Sequence, residues 1–488
     1  MAQMKILIVT SGSRGDCQPF IALGSHLKKV NHQVLLVTNP DHVDLCKDMD
    51  VDCKENASTR FESFFTSAPC RKAMENNNFL AFLDAMGKYH QGVLATIYET
   101  LYEAISSWKP DLVLCGTMHW QDAAWIPNLL QVPAVPYTLT NSMSCNPDIA
   151  PFGLPSLPFS MNRPIWHLVF WKYGSDLSKA VGGTLERLSG RKVADFFPTG
   201  KTLLELMSGR GIGQPDPWSF VPLFIMEDAS LHEGGKKYDL SRFTYTGSCH
   251  VPPASCTGKA FGGEKAALLD EFVASCPEPP VYIGWGSISS PSAEWQAQFA
   301  VQTLLEAGCK GVVCGGWGHL NESMLATAPN ATELQEYADK NVFFIDAAPH
   351  EVLFPRCSVI IHHGGASTTE VAMRSGKPQI VTPVFYDQFD NAAIVNSRGV
   401  GVGTSRQLNK LAAKEVAAIV QDCRSDVKMQ EKARAFAAKL TEGDACELAT
   451  SAIETFYTEQ VKSGTYWKGY NALMKETVRK PWLSFLGK

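Results

Sequence analysis

Neither charge dominates this sequence: 44 Lys and Arg stand against 49 Asp and Glu, a net charge of −5. That balance offers no basic face for nucleic acid and no acidic tail. No apolar run approaches the roughly 18 residues of a membrane-spanning helix, so any membrane contact is expected to be peripheral. The opening stretch, Met1 to Asp16, does not read as a secretory leader, because its apolar run is only Ile6 to Val9 and a Gly-rich turn follows. The 14 cysteines are scattered, without a C-x-x-C pair or zinc-finger Cys/His spacing. A chain this long needs no disulfide staples, so a reducing, cytoplasmic setting is expected. Short repeats and low-complexity tracts are also missing. With 45% apolar and 19% charged residues, the composition is that of a folded globule.

What is present has a regular grammar. The 488 residues exceed the roughly 250–300 that one core organises, so two domains are expected. Lys5 to Thr10 is a β-branched run ending in the loop Ser11-Gly-Ser-Arg-Gly-Asp16. Pro19 then reads as the opening of a helix whose buried face carries Phe20, Leu23, Leu27 and Val30, and His32 to Thr38 is the next strand. Strand, loop, helix, strand at this length implies parallel pairing. Asp111 to Cys115 and Ala134 to Thr138 continue the sheet. A Pro-, Gly- and Ser-rich stretch near residues 251–280 reads as a linker. Strand-like runs resume at Pro280–Gly284, Gly311–Cys314, Asn341–Asp346, Ser358–His362 and Gln379–Thr382. The expected fold class is therefore α/β, two doubly wound Rossmann-like domains facing across a cleft. Residues 1–250 form the first and 281–444 the second. Ligands of such sheets sit at the carboxyl ends of the strands.

The richest segment is His362-His-Gly-Gly-Ala-Ser-Thr-Thr-Glu370. Gly364 and Gly365 remove side chains where phosphates would approach, and Ser367, Thr368 and Thr369 begin a helix. A helix N-terminus carries unpaired N–H groups and about half a positive charge, which makes a diphosphate site without a metal. The same residues also suit a tight turn with a helix cap. Ile283-Gly-Trp-Gly-Ser287 is a second strand running into a small-residue turn. Asp387 and Gln388 follow a further strand in a loop, where a carboxylate and an amide suit sugar hydroxyls; Asp387 also suits a helix cap.

Three segments carry a resemblance: Gly12-Ser-Arg-Gly-Asp-Cys-Gln-Pro19, Tyr282-Ile-Gly-Trp-Gly-Ser287, and Pro349-His-Glu-Val-Leu-Phe-Pro355 through His363 to Gln388. In order and spacing the chain resembles GT-B glycosyltransferases of the branch that holds sterol glucosyltransferases and macrolide or glycopeptide antibiotic glycosyltransferases. The resemblance implies an inverting hexosyltransferase that uses a nucleotide-sugar co-substrate, UDP-glucose, with no metal and no other cofactor, and a lipophilic acceptor. His363, Gly365, Ser367 and Thr368 would hold phosphate and Ser287 the diphosphate. Ala348 and His350 would border the base, while Asp387 and Gln388 would hold the sugar. Glu370 and the first-domain loop residues Ser13, Arg14 and Gly15 would add donor contacts. Residues 445–488 would cross back onto the first domain. Plant relatives carry a ribose-binding glutamate one position later, where Val371 stands, sterol-type relatives have Gly in place of Ser367, and Phe is common in place of Trp285.

The first loop does not match a dinucleotide fingerprint: it reads G-x-x-G, and no acidic residue ends the second strand. By the resemblance, Asp16 is the base that takes the acceptor proton, or its orienting partner; the other reading is a helix cap. His119 is a second candidate base or a structural histidine. Asp48-Met-Asp50 reads as a solvated acidic turn. The stretch from Asn141 to Gly213 is aromatic, and Trp120, Trp166, Trp171 and Phe196, with Phe152, Phe159 and Phe197, are candidates for an acceptor wall or for core packing. A nucleotide-sugar 2-epimerase, or a binder without catalysis, are the alternative functions.

Overall fold

A computed structural model describes residues 3–56, 60–90, 93–140, 162–196, 199–208, 216–232, 241–440 and 443–478. The first sheet is built from β1 (Lys5–Val9), β2 (Gln33–Thr38), β3 (Cys53–Glu55), β4 (Leu112–Cys115), β5 (Ala134–Thr138), β6 (Leu223–Ile225) and β7 (Phe243–Tyr245). Their order is β3-β2-β1-β4-β5-β6-β7, and every pairing is parallel. The second sheet contains β8 (Val281–Gly284), β9 (Gly311–Cys314), β10 (Val342–Ile345), β11 (Val359–His362), β12 (Gln379–Val381) and β13 (Gly401–Gly403). Its order is β10-β9-β8-β11-β12-β13, again all parallel. The two-sheet α/β architecture read from the alternation is what the chain adopts.

Strand order reverses direction between β1 and β4 in one sheet and between β8 and β11 in the other. Chain connections leave a crevice at such a switch point, beyond the strands' carboxyl ends. The loops after β1 and β4 line the first crevice, and those after β8 and β11 line the second. Every strand at these points is buried on both faces, which is why they read as unbroken apolar runs rather than as alternation.

Two excursions tie the sheets together. The helices Phe61–Phe65, Ala68–Glu75 and Phe79–His90 arise within the first half of the chain, yet Phe64, Cys70 and Met74 join the core cluster of the second sheet. In return, the C-terminal helices Ala445–Phe456 and Thr465–Val478 give Cys446, Ala449, Ile453, Phe456, Tyr466, Tyr470 and Leu473 to the core of the first. Tyr466 is fully buried, and its hydroxyl bridges both backbone groups of Ala134 in β5, at 3.1 Å from N and 3.2 Å from O. Truncating it removes an aromatic body and orphans an amide and a carbonyl. Tyr466→Ala is expected to cost about 3–5 kcal/mol, read as a lowered urea midpoint.

Candidate active site

At the first switch point the helix Arg14–Lys29 begins five residues before Pro19, which corrects the expectation that Pro19 opens it. Ser13 is the N-cap and Asp16 the third helical residue. The Ser13 amide and hydroxyl both donate to Asp16 Oδ2 at 2.7 Å, forming a capping box. Gly12 sits at φ +126°, and a Cβ there would lie 2.5 Å from Asp16 Oδ2. The cap reading of Asp16 is therefore realised, and it uses one carboxylate oxygen. Burial pushes the Asp16 carboxyl above its ordinary value, and the Ser13 donors offset this only in part.

Pro19 has no amide to give the carbonyl four residues back, which belongs to Gly15. That carbonyl instead accepts the Ser367 hydroxyl of the second domain at 2.8 Å. Arg14 donates to the Ala260 carbonyl and to Gln18 Oε1 (2.7 Å) and lies 5.0 Å over the Phe261 ring. Gln18 also reaches Glu351 Oε1 at 3.0 Å. Ser13, Arg14 and Gly15 are thus spent on capping and on bridging the two domains.

His119, in the loop after β4, is buried with both ring nitrogens engaged. Nδ1 lies 2.8 Å from Asp122 Oδ2 and Nε2 lies 2.8 Å from Ser11 Oγ. Tyr98 and Trp125 donate to the other Asp122 oxygen at 3.0 and 2.7 Å, and Asn56 donates to Ser11 at 2.6 Å.

The second switch point presents His363. Its ring packs against two glycines: a Cβ on Gly286 would lie 3.3 Å from its Cε1, and one on Gly365 would lie 2.6 Å from its Nε2. Its Nδ1 is buried without a partner, and burial followed by the nearby His362 lowers its pKa to about 3, so the ring is neutral. Gly365 is the N-cap of the helix Ala366–Arg374, with Ser367 and Thr368 half-buried in its first turn. Gly364, at φ +92°, brings the backbone within 2.6 Å, measured from an added Cβ, of Val381. Ser287 is half-buried in the β8 loop, while the neighbouring Ser289 and Ser290 hydroxyls are buried without partners. Ala348 is buried, and His350 stacks on Phe354 at 4.5 Å and meets the Tyr282 hydroxyl at 2.9 Å.

Three expectations need correction. Glu370 is buried and aims away from the cradle: Oε1 accepts the Ser248 amide at 3.4 Å and pairs with Arg374 at 3.3 Å. Asp387 lies in the turn before the helix Gln388–Arg398 as its N-cap, but Gln388 is the first helical residue rather than a loop residue, and its Oε1 is held by the amides of Val384 and Phe385 at 2.8 and 2.9 Å. Trp120, Trp166 and Phe196 are 6%, 6% and 2% exposed within the first core cluster, so they serve as packing. Trp171 is 45% exposed. Phe152, Phe159 and Phe197 lie outside the described residues.

Asp387 has no side-chain cap bond, and its pKa is pushed up to about 7 by burial and then by the charge of Asp16. The charge of Asp16 in the first domain thus bears on Asp387 in the second. An aromatic cluster that sequence reasoning missed joins the two halves of the chain. Phe65 meets Trp317 at 5.6 Å and Phe82 meets Phe385 at 5.0 Å, joining the 61–90 excursion to the second domain. Its signal was the run Phe61-Glu-Ser-Phe-Phe65.

With this geometry in view, the likenesses to known proteins are specific. Residues 6–90 match the family described as glycosyltransferase family 28 N-terminal domain. Residues 314–454 match erythromycin biosynthesis protein CIII-like, C-terminal domain. A sterol 3-beta-glucosyltransferase of Saccharomyces cerevisiae (strain YJM789) is 26% identical over 92% of this chain, which spans 35% of that protein. One from Arabidopsis thaliana is 24% identical over 82% of the chain, which spans 60% of it. The chain thus spans from about a third to less than two thirds of these relatives. Among solved structures, the glycotransferase of kitacinnamycin superposes with TM-score 0.60 at 17% identity, covering 93% of this chain and 99% of that one. CalG4, the calicheamicin glycosyltransferase, gives 0.59 at 16% identity, covering 94% and 99%. The fold is that of the GT-B glycosyltransferases. The resemblance drawn from the motifs, to sterol glucosyltransferases and antibiotic glycosyltransferases, holds in sequence and in architecture.

The buried imidazoles make an acid-sensitive prediction. His350 and His363 are held to about 3 and His362 to about 4, against an ordinary 6.5. Between those values the unfolded chain binds more protons than the folded one, so stability falls as pH drops below 6.5. Thermal melts at stepped pH are expected to show that slope, and His363→Asn to make it shallower.

Proposed function

We propose that this chain transfers glucose from UDP-glucose to the hydroxyl of a lipophilic, sterol-class acceptor, with inversion and without a metal. One observation carries the reading: the amino end of the Ala366–Arg374 helix, with His363 beside it, meets the Asp16 loop across the cleft through Ser367 and Gly15. A diphosphate at that helix end accepts the free amide hydrogens and the helix dipole. The His363 Nδ1 atom, buried and unpartnered, supplies a further neutral donor.

As the acceptor oxygen attacks the anomeric carbon, the bond from that carbon to the diphosphate oxygen breaks on the opposite face. The bonding pair leaves with the diphosphate, where the helix end and His363 stabilise it. The acceptor proton passes to Asp16, whose burial-raised pKa makes it a better base than an exposed carboxylate. His119 has no ring nitrogen left for that proton, so it positions the Ser11 loop. Asp387 takes sugar hydroxyls, and the aromatic cluster at Phe65, Phe82, Trp317 and Phe385 borders the acceptor side. The choice of UDP rests on the sterol-type relatives. One antibiotic-type structure, that of SsfS6, was solved with thymidine diphosphate.

Purified protein with labelled UDP-glucose and a sterol and hydroxy-fatty-acid panel is expected to yield glycosylated lipid plus UDP. Isomerised donor, or an unchanged donor that merely binds, would refute transfer. Asp16→Asn is expected to lower kcat by at least about 100-fold while UDP still binds; unchanged turnover removes Asp16 from the mechanism. His363→Ala should weaken UDP binding about tenfold and slow turnover with it, by titration calorimetry and steady-state kinetics. Adding or withholding magnesium should leave turnover unchanged.

A further inference from the structure

His362 and Gln379 are polar residues in otherwise apolar strands. His362 ends β11, Gln379 opens β12, and both are fully buried. Gln379 pairs with Ile360, two residues before His362, so the two side chains share one face of the sheet. His362 Nε2 meets Gln379 Oε1 at 2.7 Å, and on the other side of the ring Nδ1 accepts the Gly364 amide at 3.0 Å. These contacts fix the state of the ring. An amide can only donate, so Nδ1 offers a lone pair. A neutral imidazole then carries its one hydrogen on Nε2, where the Gln379 oxygen accepts it. Burial lowers the His362 pKa to about 4, against a partial rise from Gln379, so the ring is neutral near neutrality.

The backbone around His362 is held as closely. Its carbonyl accepts the Thr382 amide at 2.9 Å and the Thr382 hydroxyl at 3.3 Å, and Trp285 Nε1 donates to that hydroxyl oxygen at 3.0 Å. Asn391, buried in the Gln388–Arg398 helix, donates from Nδ2 to the Gly364 carbonyl at 2.8 Å. Both backbone polar groups of Gly364 are therefore engaged by buried side chains. Gly364 stands at φ +92°, and a Cβ there would lie 3.0 Å from the Gln388 carbonyl oxygen, so the turn admits only glycine. Glycine is also the residue with the widest backbone freedom, and the two side-chain bonds restrain it.

We propose that His362 and Asn391 are positioning residues that lock the Gly364 turn and thereby aim the His363 ring and the first amides of the Ala366–Arg374 helix at the diphosphate. The inference rests on the transfer reading above, in which neither residue touches the ligand. His362 acts through the Gly364 amide and Asn391 through the Gly364 carbonyl. The turn they hold lies between the end of β11 and the N-cap Gly365, so it carries His363 on one side and the helix end on the other. Freeing it loosens both phosphate-holding elements together.

The unliganded full chain, labelled with nitrogen-15 at its 12 histidines, tests the ring state. In long-range proton–nitrogen spectra, the signal that vanishes in His362→Asn is expected to carry its proton on Nε2 and a hydrogen-bonded lone pair on Nδ1. Titration calorimetry with UDP tests the function. His362→Leu is expected to weaken UDP binding about tenfold and Asn391→Ala about threefold. His362→Asn, whose Oδ1 can still accept the Gly364 amide, should recover most of the loss. His363→Ala added to His362→Leu should cost less than His363→Ala alone, because the ring it removes is already misaimed. The ring spectrum and Asn391→Ala decide the matter even where His362→Leu fails to fold. A proton on Nδ1 of His362, or parent-like UDP affinity in either Asn391→Ala or His362→Leu, would overturn the proposal and leave the transfer reading standing. Fully additive losses in the double variant would do the same. A parent chain that binds no UDP would overturn both.

Discussion

The structure hinges on a carbonyl that its own helix cannot use. Pro19 withholds the amide that would close the turn at Gly15, and the Ser367 hydroxyl from the other domain takes its place at 2.8 Å. The amino ends of two helices thereby meet at one hydrogen bond. Their dipoles repel unless negative charge lies between them, and the cleft supplies that in Asp16 and Asp387. A diphosphate would add to it from the other side. The unpaired amides at the helix end favour an anionic ligand there.

Burial does the chemical tuning. It raises the Asp16 carboxyl above its ordinary value and Asp387 to about 7, and it keeps His350, His362 and His363 uncharged. In the proposed transfer His363 would then serve as a neutral hydrogen-bond donor rather than as a cation. His119 shows the contrasting solution, with Asp122 and Ser11 occupying both nitrogens and leaving a rigid support under the first loop.

Much of this was legible in the residues. Runs such as Ile6 to Val9, Leu112 to Cys115 and Val359 to Ile361 are apolar because both faces are covered, and they identified the central strands. The edge strands β3, β7 and β13 were not visible, since Cys-Lys-Glu, Phe-Thr-Tyr and Gly-Val-Gly are too short to make a pattern. Pro19 misled because its usual place is a helix's first turn, whereas here its missing bond is replaced from another domain. Glu370 misled for a similar reason: its partners Ser248 and Arg374 are set by domain packing, not by spacing in the motif. The aromatic face of residues 61–90 arises only when distant segments converge.

The central claim is that a pyrophosphate binds at the amino end of the Ala366–Arg374 helix. Hydrogen–deuterium exchange of the full chain with and without UDP measures those amides directly. Peptides covering residues 363–369 are expected to gain protection when UDP is added, with lesser change over the first-sheet strands. Saturating UDP that protects other segments and leaves residues 363–369 exchanging as before would contradict it.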